Sequence, residues 1–198
     1  MMLFEKIIWS VSTMEDIRFI QRFEHEFEGD IILIHTNLIT YFYSKYNIKF
    51  KSYIPKFNGR YYFCKNIERS FNVLSGRLSV NEASKAYSAT LDLLIELEHK
   101  KEIDKSNLYL IPSGRHIHQW AIKDYAMSKG ARKLFINYAN FPGYSIFDPS
   151  GTDRNSSIYG DSDILNKIKE ECYSNKEIAE IFERFLRLKR KQLTIPQK

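Results

Sequence analysis

Between residues 107 and 138 two short apolar runs, LYLI (108–111) and LFI (134–136), flank a segment with helical periodicity. The first run stops at Pro112-Ser113-Gly114. Ile117, Trp120, Ala121, Tyr125 and Ala126 then recur at helical spacing, up to Lys129-Gly130, a cation followed by glycine as at a helix C-terminus. Strand, turn, helix, turn, strand is a βαβ unit. Its parallel strands put both C-terminal ends on one edge of a sheet, where open α/β sheets bind ligands. Two polar clusters, Ser113 to His118 and residues 137–157, follow the two runs and are expected to meet there.

The N-terminal region repeats the alternation. Apolar runs at 5–10, 31–35 and 48–54 read as strands. Between the first two, Ser12-Thr13 caps a helix with Glu15 and Asp16 in its first turn, and Ile17, Ile20, Phe23 and Phe27 recur at helical spacing. Residues 37–46 read as a second helix whose aromatics should face the sheet. No glycine-rich fingerprint follows the first run, which argues against a dinucleotide there. Phe57, Tyr61, Tyr62 and Phe63 cluster among basic residues and suit either packing between elements or stacking on a sugar or base. Ser79-Val-Asn-Glu82 is a capping box that opens a helix reaching about Lys100. Beyond the central loop two more helices are expected, one from Asp161 or Ser162 through Cys172 and one capped at Ser174 through Phe185. The predicted fold is therefore α/β: a Rossmann-like domain over 1–160, with a mostly parallel sheet of about five strands flanked by helices. A C-terminal helical pair follows over 161–191, then a tail or linker over 192–198.

At 198 residues the chain suffices for one core, or for one lobe of a larger enzyme. It has no apolar run long enough to span a bilayer, and Glu5 interrupts the N-terminus, so neither a membrane span nor a signal peptide is expected and a cytoplasmic setting follows. Cys64 and Cys172 match no metal or redox spacing and read as reduced thiols. The net charge of +6 is concentrated in residues 184–191. This stretch suits a solvated helix end, or attraction to an anionic membrane surface or substrate; without a recognisable motif, nucleic acid is not an expected partner. His116 and His118, at i and i+2, do not share a helix face and make a poor zinc pair. Beside Arg115 and free helix N-terminal amides they fit an anion site better. No metal or cofactor is expected.

The loop at 137–157 carries Asn137, Asn140, Asp148, Asp153 and Asn155, with Gly143 and Gly151 for tight turns. Asp148-Pro149-Ser150-Gly151 is a good turn sequence. The cluster suits turn caps and Asx hydrogen bonds, or a carboxylate base or nucleophile with amides, Ser156 and Ser157 positioning hydroxyls.

Over residues 74–159 the chain resembles the N-terminal half of the bacterial capsule polysaccharide synthesis family, which includes the Kdo (3-deoxy-manno-octulosonic acid) transferases. The matching pieces are Leu74-Ser-Gly76-Arg77-Leu78-Ser79 before a helix, a strand ending in Ser113-Gly114-Arg115, and a strand leading into Phe141-Pro142-Gly143. The most specific piece is Asp148-Pro-Ser-Gly151-Thr-Asp153-Arg-Asn155-Ser156-Ser157, similar to the family's aspartate–x–x–glycine–x–asparagine–x–x–serine–serine. The resemblance implies a glycosyltransferase using CMP-Kdo or a similar activated sugar nucleotide, with a glycan or glycolipid acceptor. Asp148 or Asp153 would be catalytic; Ser113, Gly114, Arg115, His116, Asn137, Asn140, Asn155, Ser156 and Ser157 would bind substrate. Two departures stand out: Asn137 replaces a family glutamate, and Asp153 replaces a family asparagine. An amide cannot serve as a carboxylate base. Family members also continue into a second Rossmann-like domain. The alternative to an enzyme, alone or with a second-lobe protein, is a non-catalytic lobe that binds glycan or a partner chain.

Overall fold

A computed structural model describes residues 6–24, 27–138, 145–152 and 155–157, with 159, 163, 180 and 183. The chain divides into two compact units, Met1–Phe135 and Ile136–Lys198.

In the first unit, β1 (Lys6–Val11) leads through α1 (Met14–Phe23) to β2 (Asp30–His35), and α2 (Leu38–Asn47) leads on to β3 (Lys51–Tyr53). A 3-10 turn (Ile67–Arg69) and the single-turn helix α3 (Phe71–Leu74) precede α4 (Val80–His99). Then come β4 (Leu108–Pro112), α5 (Ile117–Ser128) and β5 (Arg132–Tyr138), within which the unit boundary falls; β6 (Ser145–Asp148) belongs to the second unit. The strands form one mostly parallel six-stranded sheet in the order β3-β2-β1-β4-β5-β6, as expected of a Rossmann-like α/β fold. β1 pairs in parallel with both β2 and β4, and β2 with β3. β6 lies inside what the sequence suggests is a continuous loop. Six residues separate it from β5.

The local signals are those read from the sequence. Thr13 caps α1, and Asp16 completes the capping box; Ser79 and Glu82 do the same for α4. Each cap is worth about 1 kcal/mol. Gly130, at φ 64°, closes the turn after α5. Strand residues alternate between two buried faces, as a sheet covered on both sides requires. Ile8, Ile32, Ile34, Tyr109, Ile111 and Phe135 pack with α4 and α5 through Leu94, Leu97, Ile122 and Tyr125. On the other face, the Trp9 ring lies 5.6 Å from that of Phe19 on α1. The Tyr87 hydroxyl bonds Asp124 at 2.8 Å and ties α4 to α5.

α2 departs from expectation. Its buried side chains are Thr40 and Ser44, while Leu38, Ile39, Phe42, Tyr43 and Tyr46 are exposed. The cap sets this phase. Asn37 accepts from the Thr40 amide at 2.9 Å and donates to the Ser12 carbonyl at 3.0 Å, so Thr40 is turned inward against His35. Asp163, Glu180 and Glu183 are helical, and the remainder of the expected C-terminal pair, with the basic stretch and tail, lies outside the described residues. Among the described residues no helix is long and apolar enough to cross a membrane.

Candidate functional site

From β1 the chain builds β2 and β3 to one side, then returns to build β4, β5 and β6 on the other. The order therefore reverses between β1 and β4, the position where open α/β sheets take ligands. A cleft of about 450 Å³ lies there, within the first unit. Its polar lining comes from Ser12 and Thr13 after β1, His35 and Thr36 at the end of β2, Asn72 and Arg77 around α3, Thr90 on α4, and His116 and His118 at the start of α5. Among the described residues that line it there is no Asp or Glu.

Each group is held by local bonding. Asp16 accepts from the Ser12 and Thr13 amides, both at 2.8 Å, which fixes the turn out of β1 and stands a carboxyl behind the cleft wall. Burial raises the Asp16 pKa, against the opposing pull of these bonds. The Ser12 hydroxyl lies 2.9 Å from His118 Nε2. Burial, reinforced by His116, pushes the His118 imidazole down to about 3, so it is neutral at physiological pH. His116 is the N-cap of α5, in extended conformation. Helical periodicity therefore does not govern it, and its ring stacks on His118 with centroids 5.7 Å apart, although the i, i+2 spacing suggests separation. Burial and the nearby Arg77 hold His116 below the ordinary histidine range; Asp16 pulls the other way. The Phe71 ring meets His116 edge-on at 5.2 Å and carries the Arg77 guanidinium at 5.2 Å. The Asn72 carbonyl accepts from the Arg77 and Leu78 amides, both at 3.0 Å.

The amides expected to be free at residues 115–117 have protein acceptors. The Arg115 and His116 amides donate to Gln119 Oε1 at 2.9 and 3.0 Å, and the Ile117 amide donates to Asn72 Oδ1 at 2.8 Å. A glutamine at the third helical position supplies the acceptor that a ligand would otherwise provide. Arg77, not Arg115, is the cation of the cleft lining. Ser113 and Gly114 make the turn out of β4 at φ 55° and 66°. A Cβ on Gly114 would stand 2.7 Å from the Phe135 ring, so glycine is required both for conformation and for close approach. Neither residue lines the cleft.

At the floor of the cleft, His35 is fully buried, with Nδ1 3.1 Å from the Thr40 hydroxyl. No described residue pairs with its Nε2. A buried polar atom left so costs about 1–3 kcal/mol. Burial also lowers the imidazole to about 4.

In the second unit, Asp148 organises the loop that follows β6. Its Oδ1 accepts from the Ser150 and Gly151 amides at 2.7 and 3.2 Å; its Oδ2 accepts from the Ser157 amide and hydroxyl at 2.8 and 2.7 Å. Burial opposes ionisation, but these donors outweigh it and hold the carboxyl below its usual range. The four bonds occupy the carboxylate's lone-pair positions, so action as a base would require breaking them. A Cβ on Gly151 would lie 2.6 Å from Asn155 Cβ, which accounts for a glycine four residues before that asparagine. Asn137 is half-buried in β5, Asn155 and Ser157 are exposed, and Ser156 is half-buried. Asn140 and Asp153 lie outside the described residues.

Sequence reading thus missed Ser12, Thr13, His35, Asn72 and Arg77 as cleft residues. The available signal was position: three of them follow or end apolar runs that read as parallel strands. In comparison with known proteins, the chain matches no family model and no curated protein sequence.

Proposed function

We propose that the chain is a glycosyltransferase-like protein of bacterial capsule or surface polysaccharide biosynthesis, equivalent to the N-terminal lobe of a Kdo transferase and working on the cytoplasmic side of the cell membrane. One observation carries the reading: a polar cleft at the sheet's switch point that offers a guanidinium, imidazoles and hydroxyls, with no carboxylate among its described lining residues. This lining favours a hydroxylated, anionic ligand, as CMP-Kdo and its products are. The sequence similarity at residues 148–157 is the second support.

Transfer requires donor and acceptor held with reacting atoms about 3 Å apart, and charge on the leaving nucleotide must be stabilised. Arg77 is the described cleft residue suited to the second task, as a permanent cation. Taking the acceptor proton is harder for this chain. Asp148 is saturated with donors, and His35 and His118 are weak bases at neutral pH. The same observations favour the second reading, a non-catalytic lobe that binds glycan or a partner chain. We therefore expect the isolated chain to transfer sugar poorly or not at all. The test is an assay of the purified protein with CMP-Kdo and other activated sugars, with and without a candidate second-lobe protein. Robust turnover by the chain alone, abolished by Asp148→Ala, would overturn that expectation. Turnover only with a partner would support a split enzyme, and binding without turnover a non-catalytic lobe.

A further inference from the structure

The Thr40 hydroxyl has one proton, and it donates to the Asn37 carbonyl at 3.1 Å. His35 Nδ1 lies at the same distance, 3.1 Å; with the Thr40 proton assigned to the carbonyl, Thr40 accepts from Nδ1, which then carries the imidazole proton. A neutral ring with its proton on Nδ1 leaves Nε2 as a bare lone pair. Among the described residues that atom has no partner, and His35, a buried residue, lines the switch-point cleft. The cleft thus contains an acceptor that only a hydrogen-bond donor can satisfy. Two other polar groups of the lining are differently placed: Ser12 pairs with His118, and Arg77, on the Phe71 ring, can only donate.

We propose that His35 is a specificity-determining residue of the cleft, its Nε2 accepting from a hydroxyl of a ligand whose anionic group lies at Arg77. The inference rests on the reading of this cleft as the ligand site, and not on sugar transfer. A carboxylate or phosphate without a nearby hydroxyl would meet Arg77 but leave Nε2 bare. A neutral polyol would satisfy Nε2 but leave Arg77 without a counter-charge. Discrimination then comes from the unpaired group that the wrong ligand leaves behind.

The test is nitrogen NMR of the full chain labelled at histidine, titrated with gluconate (hydroxyls and charge), glucose (hydroxyls alone) and acetate (charge alone). We expect His35 Nε2 to be unprotonated in the ligand-free protein and to shift on addition of gluconate. Glucose and acetate should each bind about tenfold more weakly or worse. Arg77→Ala should weaken gluconate by about tenfold while leaving the ligand-free His35 signals in place, which shows the fold intact. A proton on Nε2 in the free protein, an Nε2 signal unmoved by gluconate, or acetate binding as tightly as gluconate would each overturn the proposal. Turnover of CMP-Kdo plays no part in these readouts, so the transferase reading and this one fail separately.

Discussion

The switch-point cleft and the Asp148 loop treat polar side chains in opposite ways. Around Asp148 every oxygen position is filled, by three amides and a hydroxyl from within ten residues of chain. In the cleft, His35 keeps an unpaired nitrogen, and Arg77 and His116 form part of the lining. The loop carries the most specific sequence pattern in the molecule, and the cleft carries none. A pattern of aspartate, glycine, asparagine and serine at fixed spacing is also what a self-contained turn requires. Ligand-ready chemistry here comes from residues far apart in sequence that the sheet order assembles.

Acid should separate the two regions most strongly. His35 and His118 have folded pKa values near 4 and 3, below the 6.5 of an unfolded histidine. Between these values the unfolded chain binds more protons than the folded one, so stability falls as pH falls from about 6.5, by about 1.4 kcal/mol per pH unit for each histidine. Asp148 has the lowered pKa of a stabilised carboxylate, and its contribution is lost only as pH falls through that lowered value. Hydrogen exchange followed against pH should show the β1, β2 and α5 amides losing protection first, with Ser150, Gly151 and Ser157 holding to lower pH. The reverse order would break the comparison.

Replacing Asp148 by alanine leaves three amides and a hydroxyl without their acceptor, at an expected local cost of about 3 kcal/mol. Accelerated exchange at Ser150, Gly151 and Ser157 would register it, with Asp148→Asn intermediate. Unchanged exchange would remove the loop-organising role and restore Asp148 as a candidate base. Gly114→Ala combines a left-handed backbone with a Cβ 2.7 Å from Phe135, whereas Gly130→Ala has a similar φ and no heavy atom within 4 Å. Denaturant titration should give about 3 kcal/mol for the first and about 1 kcal/mol for the second. On binding, Arg77→Ala should weaken Kdo by about tenfold, and, smallest of all, Arg115→Ala by less than about twofold.

Much of the fold was legible because its signals are local. Thr13 with Asp16, Ser79 with Glu82, and Lys129-Gly130 mark helix ends through bonds that span four residues or fewer. The runs at 31–34 and 108–111 are buried on both faces and so carry no charged residue. β6 was hidden because Ile146 and Phe147 are exposed and its neighbours are turn residues. α2 was misread because its phase is set by Asn37 reaching to Ser12, 25 positions away in sequence. The same holds for the cleft. Ser12 and His118 lie 106 positions apart, and the Ile117 amide at the start of α5 is occupied by Asn72 from another helix. No periodicity encodes such pairings.

The central claim is that ligands enter at the switch-point cleft. Backbone NMR of the labelled chain titrated with CMP-Kdo and with Kdo tests it most directly. The account predicts shifts concentrated at Ser12, Thr13, Thr36, Arg77 and His116. Shifts centred on residues 148–157, with these five unmoved, would contradict it.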